Sequence, residues 1–175
     1  MRVLIAEDDA VSRRILETLL QRWGYEVTTT GDGDAAWDAL QQTDAPSLAI
    51  LDVMMPGIDG LEICRRLRES PLTMPPYIIL LTAKHGVEEI VKGIEAGADD
   101  YLTKPYNRDE LRVRVQVGAR IVELQTKLAE RVAQLEAALE HVRQLQGILP
   151  ICSYCKRIRN DSDYWQTVEG YIADH

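Results

Sequence analysis

Four groups of chemically capable residues recur at the ends of short apolar runs. Glu7, Asp8 and Asp9 follow Val3 to Ala6, Asp52 follows Leu48 to Leu51, Thr82 follows Tyr77 to Leu81, and Lys104, ahead of Pro105, follows Tyr101 and Leu102. Clustered carboxylates repel one another unless a cation neutralises them. Hard oxygen ligands that leave positions for water and phosphate oxygens suit Mg²⁺. In such a set Asp52 would be both ligand and nucleophile, because a carboxylate that attacks phosphorus forms an acyl phosphate. The metal, the Lys104 ammonium and the Thr82 hydroxyl would offset charge on the phosphoryl oxygens during transfer. Taken singly, each residue has an ordinary reading as a helix cap, a turn or a surface charge. Asp9, one residue beyond the acid pair, is read as the cap of the next helix.

The elements that must position these groups follow from periodicity. Val3 to Ala6, Glu26 to Thr29, Leu48 to Leu51, Tyr77 to Leu81 and Tyr101 to Leu102 read as five strands. Between them lie helical segments. The first presents Val11, Ile15, Leu16, Leu19 and Trp23 on one face and stops at Gly24; others run near Asp34 to Gln41, Gly60 to Glu69 and Val87 to Ala96. Strands alternating with helices of this length predict an α/β fold, a doubly wound five-stranded parallel sheet with active groups at the strands' carboxyl ends.

The runs VLIAEDD, LDVMMPGIDG, LLTAK and GADDYLTKPY resemble the four signature regions of response-regulator receiver domains, over roughly residues 1 to 120. The resemblance implies a flavodoxin-like fold in which Asp52 accepts a phosphoryl group from a histidine kinase or phosphotransfer protein. It implies that Asp8, Asp52 and the backbone carbonyl of Met54 bind Mg²⁺, with Glu7 acting through a metal-bound water. Thr82 would move to hydrogen-bond the phosphoryl group, Lys104 would pair with it, and Tyr101 would turn inward as Thr82 moves. A cis peptide between Lys104 and Pro105 is also implied. Such a chain is no enzyme in the usual sense but a phosphoacceptor that assists its own phosphorylation and dephosphorylation. Met54 and Lys84 occupy positions near the site where receivers vary. A haloacid-dehalogenase-type phosphatase expects a second acid where this chain has Met54, and a dinucleotide binder needs glycines where it has Glu7 and Asp8. The alternative within the family is a degenerate receiver acting as a constitutive dimeric scaffold, against which the intact Asp52, Thr82 and Lys104 argue.

A last helix begins near Asn107 or Arg108 and runs on, since Gly118 is the one glycine up to Gln146 and there is no proline. Ile121, Leu128, Leu135, Val142 and Leu149 recur every seven residues, with Val117, Leu124, Ala138 and Leu145 at the complementary positions and Arg131 breaking that second series. This predicts a receiver over 1–118, a coiled-coil helix over 119–149 that pairs two chains into a homodimer, and a short tail over 150–175. A helix folded back on its own domain is the bland alternative.

In the tail, Cys152 and Cys155 make a single C-x-x-C, half of a zinc site, with His175 the one later candidate ligand of the usual type. The segment resembles the start of a small cysteine-containing tail that follows receiver and sensory modules in some bacterial signalling proteins, in which a second cysteine pair follows. Zinc, a longer natural chain, thiols of two coil-joined chains meeting in the dimer, and two unligated thiols are all open readings. Of 175 residues 46% are hydrophobic, enough for one domain plus an appendage. Residues 1 to 118 hold 13 Lys and Arg against 20 Asp and Glu, net −7, and this disfavours direct nucleic-acid binding by that part. Neither a signal-peptide pattern nor a membrane-length apolar run is present, so a cytoplasmic protein is expected.

Overall fold

Successive side chains of a strand point to opposite faces of its sheet, so a strand that is apolar at every position calls for helices on both sides. The computed structural model describes residues 1–70, 74–83 and 86–146 and, in the tail, 152, 154–159, 165–167 and 169–170; for 142–146, 158, 159 and 166 it describes the backbone course alone. The five apolar runs form β1 Arg2–Ala6, β2 Glu26–Thr30, β3 Leu48–Asp52, β4 Tyr77–Thr82 and β5 Asp100–Thr103. They lie in the order β2-β1-β3-β4-β5, and every neighbouring pair is parallel. Four crossovers run through α1 Ala10–Arg22, α2 Gly33–Leu40, α3 Gly60–Glu69 and α4 Val87–Glu95. The strand order reverses between β1 and β3, and a crevice opens at the carboxyl ends of the strands at such a reversal.

The alternation divides the core in two. Val3, Ile5, Leu48, Ile50, Ile79 and Leu81 meet Leu16, Leu19 and Leu20 of α1 and Leu111, Val115 and Val122 of the last helix, α5 Arg108–Gln146. Leu4, Ala6, Ala49, Leu51, Ile78 and Leu80 meet Leu40 of α2 and Ile63, Cys64 and Leu67 of α3 on the other face. Each such Leu or Ile, buried outright, contributes about 1.5–3 kcal/mol.

Local signals set the helix starts. Asp9, Asp32 and Asp59 accept hydrogen bonds from the backbone N–H groups of Ser12, Ala35 and Glu62, each at 2.7 Å. These caps satisfy donors that a helix's first turn leaves without partners. The expected face of α1 is corrected: Val11 and Ile15 are 68% and 46% exposed, while Leu16, Leu19 and Leu20 carry the packing. Positions 16, 19, 20 and 23 form one stripe at helical spacing, and 11 and 15 fall on the stripe beside it.

Gly118 lies where α5 presses against the sheet. A Cβ there would fall 2.6 Å from Tyr77 Cδ1 and 3.0 Å from Leu48 Cδ1, both in buried side chains. The missing side chain is what lets the helix seat. The chain divides into two compact units, Met1–Thr126 and Lys127–His175. In the second, Leu128, Val132, Leu135 and Leu139 of α5 are exposed, and Ile158–Arg159 and Trp165–Gln166 form a two-stranded antiparallel pair, β6 and β7, that the hydropathy pattern did not announce. The positions Gly147, Leu149, Pro150 and His175, and the side chains of Val142 and Leu145, lie outside the described residues.

Replacing Gly118 with Ala should lower stability. The gain in helix propensity of up to about 1 kcal/mol is outweighed by overpacking of about 1–3 kcal/mol. A urea midpoint equal to or above that of the wild type would contradict the close approach.

Candidate functional site

The carboxyl ends of β1 and β3 flank the reversal of strand order, and they deliver acids to it. Glu7 follows β1 and is 1% exposed, Asp52 ends β3 at 6%, and Asp8 lies open to solvent beside them. Carboxylate oxygens of the three come within 4.8 Å of one another, and among the described residues this is the one such group of three or more metal-ligating side chains. Oxygen-only donors, two of them withdrawn from water and one open, fit a hard divalent cation.

Lys104 enters from just beyond β5. Its ammonium lies 2.6 and 2.8 Å from the two oxygens of Glu7 and 2.5 Å from Asp52 Oδ2. Burial pushes the Glu7 carboxyl above its ordinary pKa against the pull of Lys104, and the Asp52 charge adds to the rise. For Lys104, burial acts to lower the pKa, but hydrogen bonds to Asp52 and Glu7 outweigh it and the net direction is up. The same bridge therefore acts in opposite directions on its two ends, and it holds the ammonium charged.

The backbone around the acids is pinned by three groups, of which the motifs did not single out Arg13. Arg13 Nη1 donates to the carbonyl oxygens of Glu7 at 2.5 Å and Asp8 at 3.1 Å, fixing the loop after β1. The Met54 N–H donates to Asp52 Oδ1 at 3.1 Å, so one acceptor oxygen is held by the backbone and the other by Lys104. A Cβ on Gly60, the first residue of α3, would fall 2.3 Å from the Asp52 carbonyl oxygen. Only glycine allows α3 to start this close to Asp52.

Thr82 ends β4 at 2% exposure, and its carbonyl accepts from the Lys104 N–H at 2.7 Å. Tyr101 of β5 is buried, 7% exposed, with its ring over Gly93 of α4. The structure thus gathers Glu7, Asp8, Asp52, Thr82 and Lys104 at one end of the sheet and holds Tyr101 inward beside it. The Lys104–Pro105 peptide is cis, as the resemblance implies. Asp9 is a cap, in agreement with its reading. Lys84 lies outside the described residues.

Fold and site together define a doubly wound α/β domain with an acid pocket at the reversal of its strand order. The chain belongs to the response regulator receiver domain family, which matches residues 3–116. It is similar to the response regulator MprA of Mycobacterium avium (strain 104), 45% identical over 116 residues that make up 66% of this chain and 50% of that protein. It is also similar to the alkaline phosphatase synthesis transcriptional regulatory protein PhoP of Bacillus subtilis (strain 168), 39% identical over 129 residues, 74% of this chain and 52% of PhoP. Among solved structures, the receiver domain of the Francisella response regulator 1452 matches with a TM-score of 0.62 and 33% identity, covering 66% of this chain and 93% of that one. The chain spans about half the length of the curated relatives it matches. Among the described residues, no helix is long and apolar enough to cross a membrane.

The cysteines separate by environment. Burial in the α3 face of the core pushes the Cys64 thiol up to about 12. Cys152 is shifted the other way, first by a backbone hydrogen bond from Cys155, whose N–H lies 3.5 Å from Cys152 Sγ. A thiol reacts as its thiolate. Alkylation of the folded protein at pH 8.5 should therefore stop at two adducts per chain and reach three only in denaturant. A third adduct forming in the native state at a comparable rate, read by intact mass, would contradict the buried assignment of Cys64.

Proposed function

We propose that the receiver takes a phosphoryl group from a phosphohistidine of a histidine kinase or phosphotransfer protein onto Asp52, and that a dimeric coil formed by α5 carries the response. The observation that carries this reading is the Lys104 ammonium, held between the carboxylates of Glu7 and Asp52 in a pocket that Asp8 opens to solvent. An Asp52 oxygen forms the new bond to phosphorus as the P–N bond to imidazole breaks. The imidazole leaves with the bonding electrons and takes up a proton, and Asp52 is left as an acyl phosphate. The Met54 N–H orients the carboxylate, while Lys104 stays within reach of the charge developing on the phosphoryl oxygens.

Mg²⁺, held by Asp8, Asp52 and the Met54 carbonyl with Glu7 acting through a water, would supply further neutralisation of those oxygens when bound. Thr82, at the end of the neighbouring strand, is placed to hydrogen-bond the phosphoryl group, and Tyr101 follows its movement. Water later cleaves the acyl phosphate and regenerates Asp52, so the protein is a reactant in its own cycle. The net −7 of residues 1 to 118 favours protein partners over nucleic acid. Zinc is left out of the proposal: two thiols fill half of a tetrahedral shell, and among the described residues no third ligand joins Cys152 and Cys155.

With Mg²⁺ and a small-molecule phosphodonor, the intact mass should rise by one phosphoryl group, and Asp52→Asn should abolish the rise without altering the circular dichroism spectrum. Labelling that persists in Asp52→Asn would sink the assignment. Light scattering should give a dimer mass, and replacing Leu128 and Leu135 with polar residues should reduce it to the monomer. A dimer that survives those changes would place pairing elsewhere.

A further inference from the structure

α5 is a continuous helix from Arg108 to Gln146, and from 123 to 141 every one of its residues is exposed, the large apolar ones included. Within Lys127–His175, the exposed apolar residues of that helix include Leu128, Val132, Leu135 and Leu139, at 66%, 45%, 65% and 59%. Their spacing is four, three and four. The earlier apolar positions Ile121, Leu124 and Leu128 are spaced three and four, so Leu124, Leu128 and Val132 form two four-residue steps in succession. An uninterrupted heptad alternates three and four; two fours in a row amount to a four-residue insertion, which locally unwinds a left-handed supercoil.

We infer that α5 pairs with α5 of a second copy of this chain, parallel and in register, through a seam that changes phase at Leu128 and continues on Val132, Leu135 and Leu139, with Arg131 beside the seam rather than in it. The inference rests on the proposed pairing of two chains. It replaces the uninterrupted heptad, which would put Arg131 and Ala138 in the seam and leave Val132 and Leu139 outside it.

Charge selects between the two phases. In a parallel coil a g position meets the e position five residues later on the other chain. In the uninterrupted heptad those contacts are Lys127 with Val132 of the partner subunit and Gln134 with Leu139 of the partner subunit, neither of them complementary. In the shifted phase Arg131 becomes a g position and meets Glu136 of the partner subunit, a pair of opposite charge repeated twice by symmetry. Within its own chain Arg131 donates to Gln134 Oε1 at 3.2 Å, an exposed contact along the same helix surface. The shifted phase thus gathers the exposed apolar residues into one seam, removes the arginine from it and gives that arginine an acid. A second copy of this helix, parallel and in register, offers Glu136 at the required step.

The test uses the full chain with Cys152→Ser and Cys155→Ser, keeping the buried Cys64. Single variants Arg131→Cys, Val132→Cys, Ala138→Cys and Leu139→Cys are oxidised and scored on non-reducing gels. Disulfide formation needs Cβ atoms about 4 Å apart, so Val132→Cys and Leu139→Cys should cross-link at least about five-fold faster than Arg131→Cys and Ala138→Cys. The reverse order, or equal rates, in a protein that still scatters as a dimer would overturn the phase change while leaving the pairing intact. A monomer mass for the starting protein would overturn both. Separately, Arg131→Glu should weaken the dimer about three- to ten-fold, and adding Glu136→Arg should restore it. Failure of the double variant to recover would mean that the two residues do not meet.

Discussion

Glu7 and Asp52 face one another at the end of the sheet almost out of reach of water. Two unit charges about 4 Å apart repel by about 4 kcal/mol at an effective dielectric constant near 20. The Lys104 ammonium between them turns that repulsion into two short ion pairs. It comes from a different strand, so the bridge exists only once β5 has joined the sheet. The pocket is therefore a product of completed tertiary structure rather than of any local segment.

The rest of the domain supplies the rigidity that this arrangement needs. β3 and β4, buried at every position, carry Asp52 and Thr82 to the same end of the sheet, and their register pairs Asp52 with Leu81, one residue short of Thr82. Cβ-free contact at Gly60 brings the start of α3 against the acceptor's own backbone, while Arg13 holds the loop after β1 from α1. At the amino ends of the strands, Arg68 joins α3 to the β4 and β5 region by pairing with Asp99, which also accepts from the Ile78 N–H. Strands, caps and these polar ties act in the same direction, which is the consistency across levels expected of a sequence that specifies one structure.

Much of this was legible in the residue order because parallel strands buried on both faces are short, apolar and bounded by acids and turn formers. The five strands, the helices between them and the gathering of Glu7, Asp8, Asp52, Thr82 and Lys104 follow from that pattern, as does the capping role of Asp9. Where reading failed, the information was three-dimensional. Hydrophobicity alone could not tell that Leu16, Leu19 and Leu20 face the sheet while Val11 and Ile15 do not, since all five are apolar and lie within three turns of one helix. Arg13 looked like any surface arginine until the fold placed two carbonyls before it. Gly118 stood out only as the one glycine of a long helix, and the Tyr77 ring explains it. The tail's β6 and β7 are two residues each, too short for any alternation to register.

The seating of α5 has a consequence for how such a chain can be recombined. Leu111, Val115 and Val122 belong to the core of the first unit, although they lie on the same helix whose later turns are bare. A gene fusion joined within that stretch would remove part of the wall of the sheet's own interior, whereas one joined after Val122 would exchange only the outer turns and the tail. The first four turns of the helix are thus inherited with the receiver, and the later turns are free to diverge.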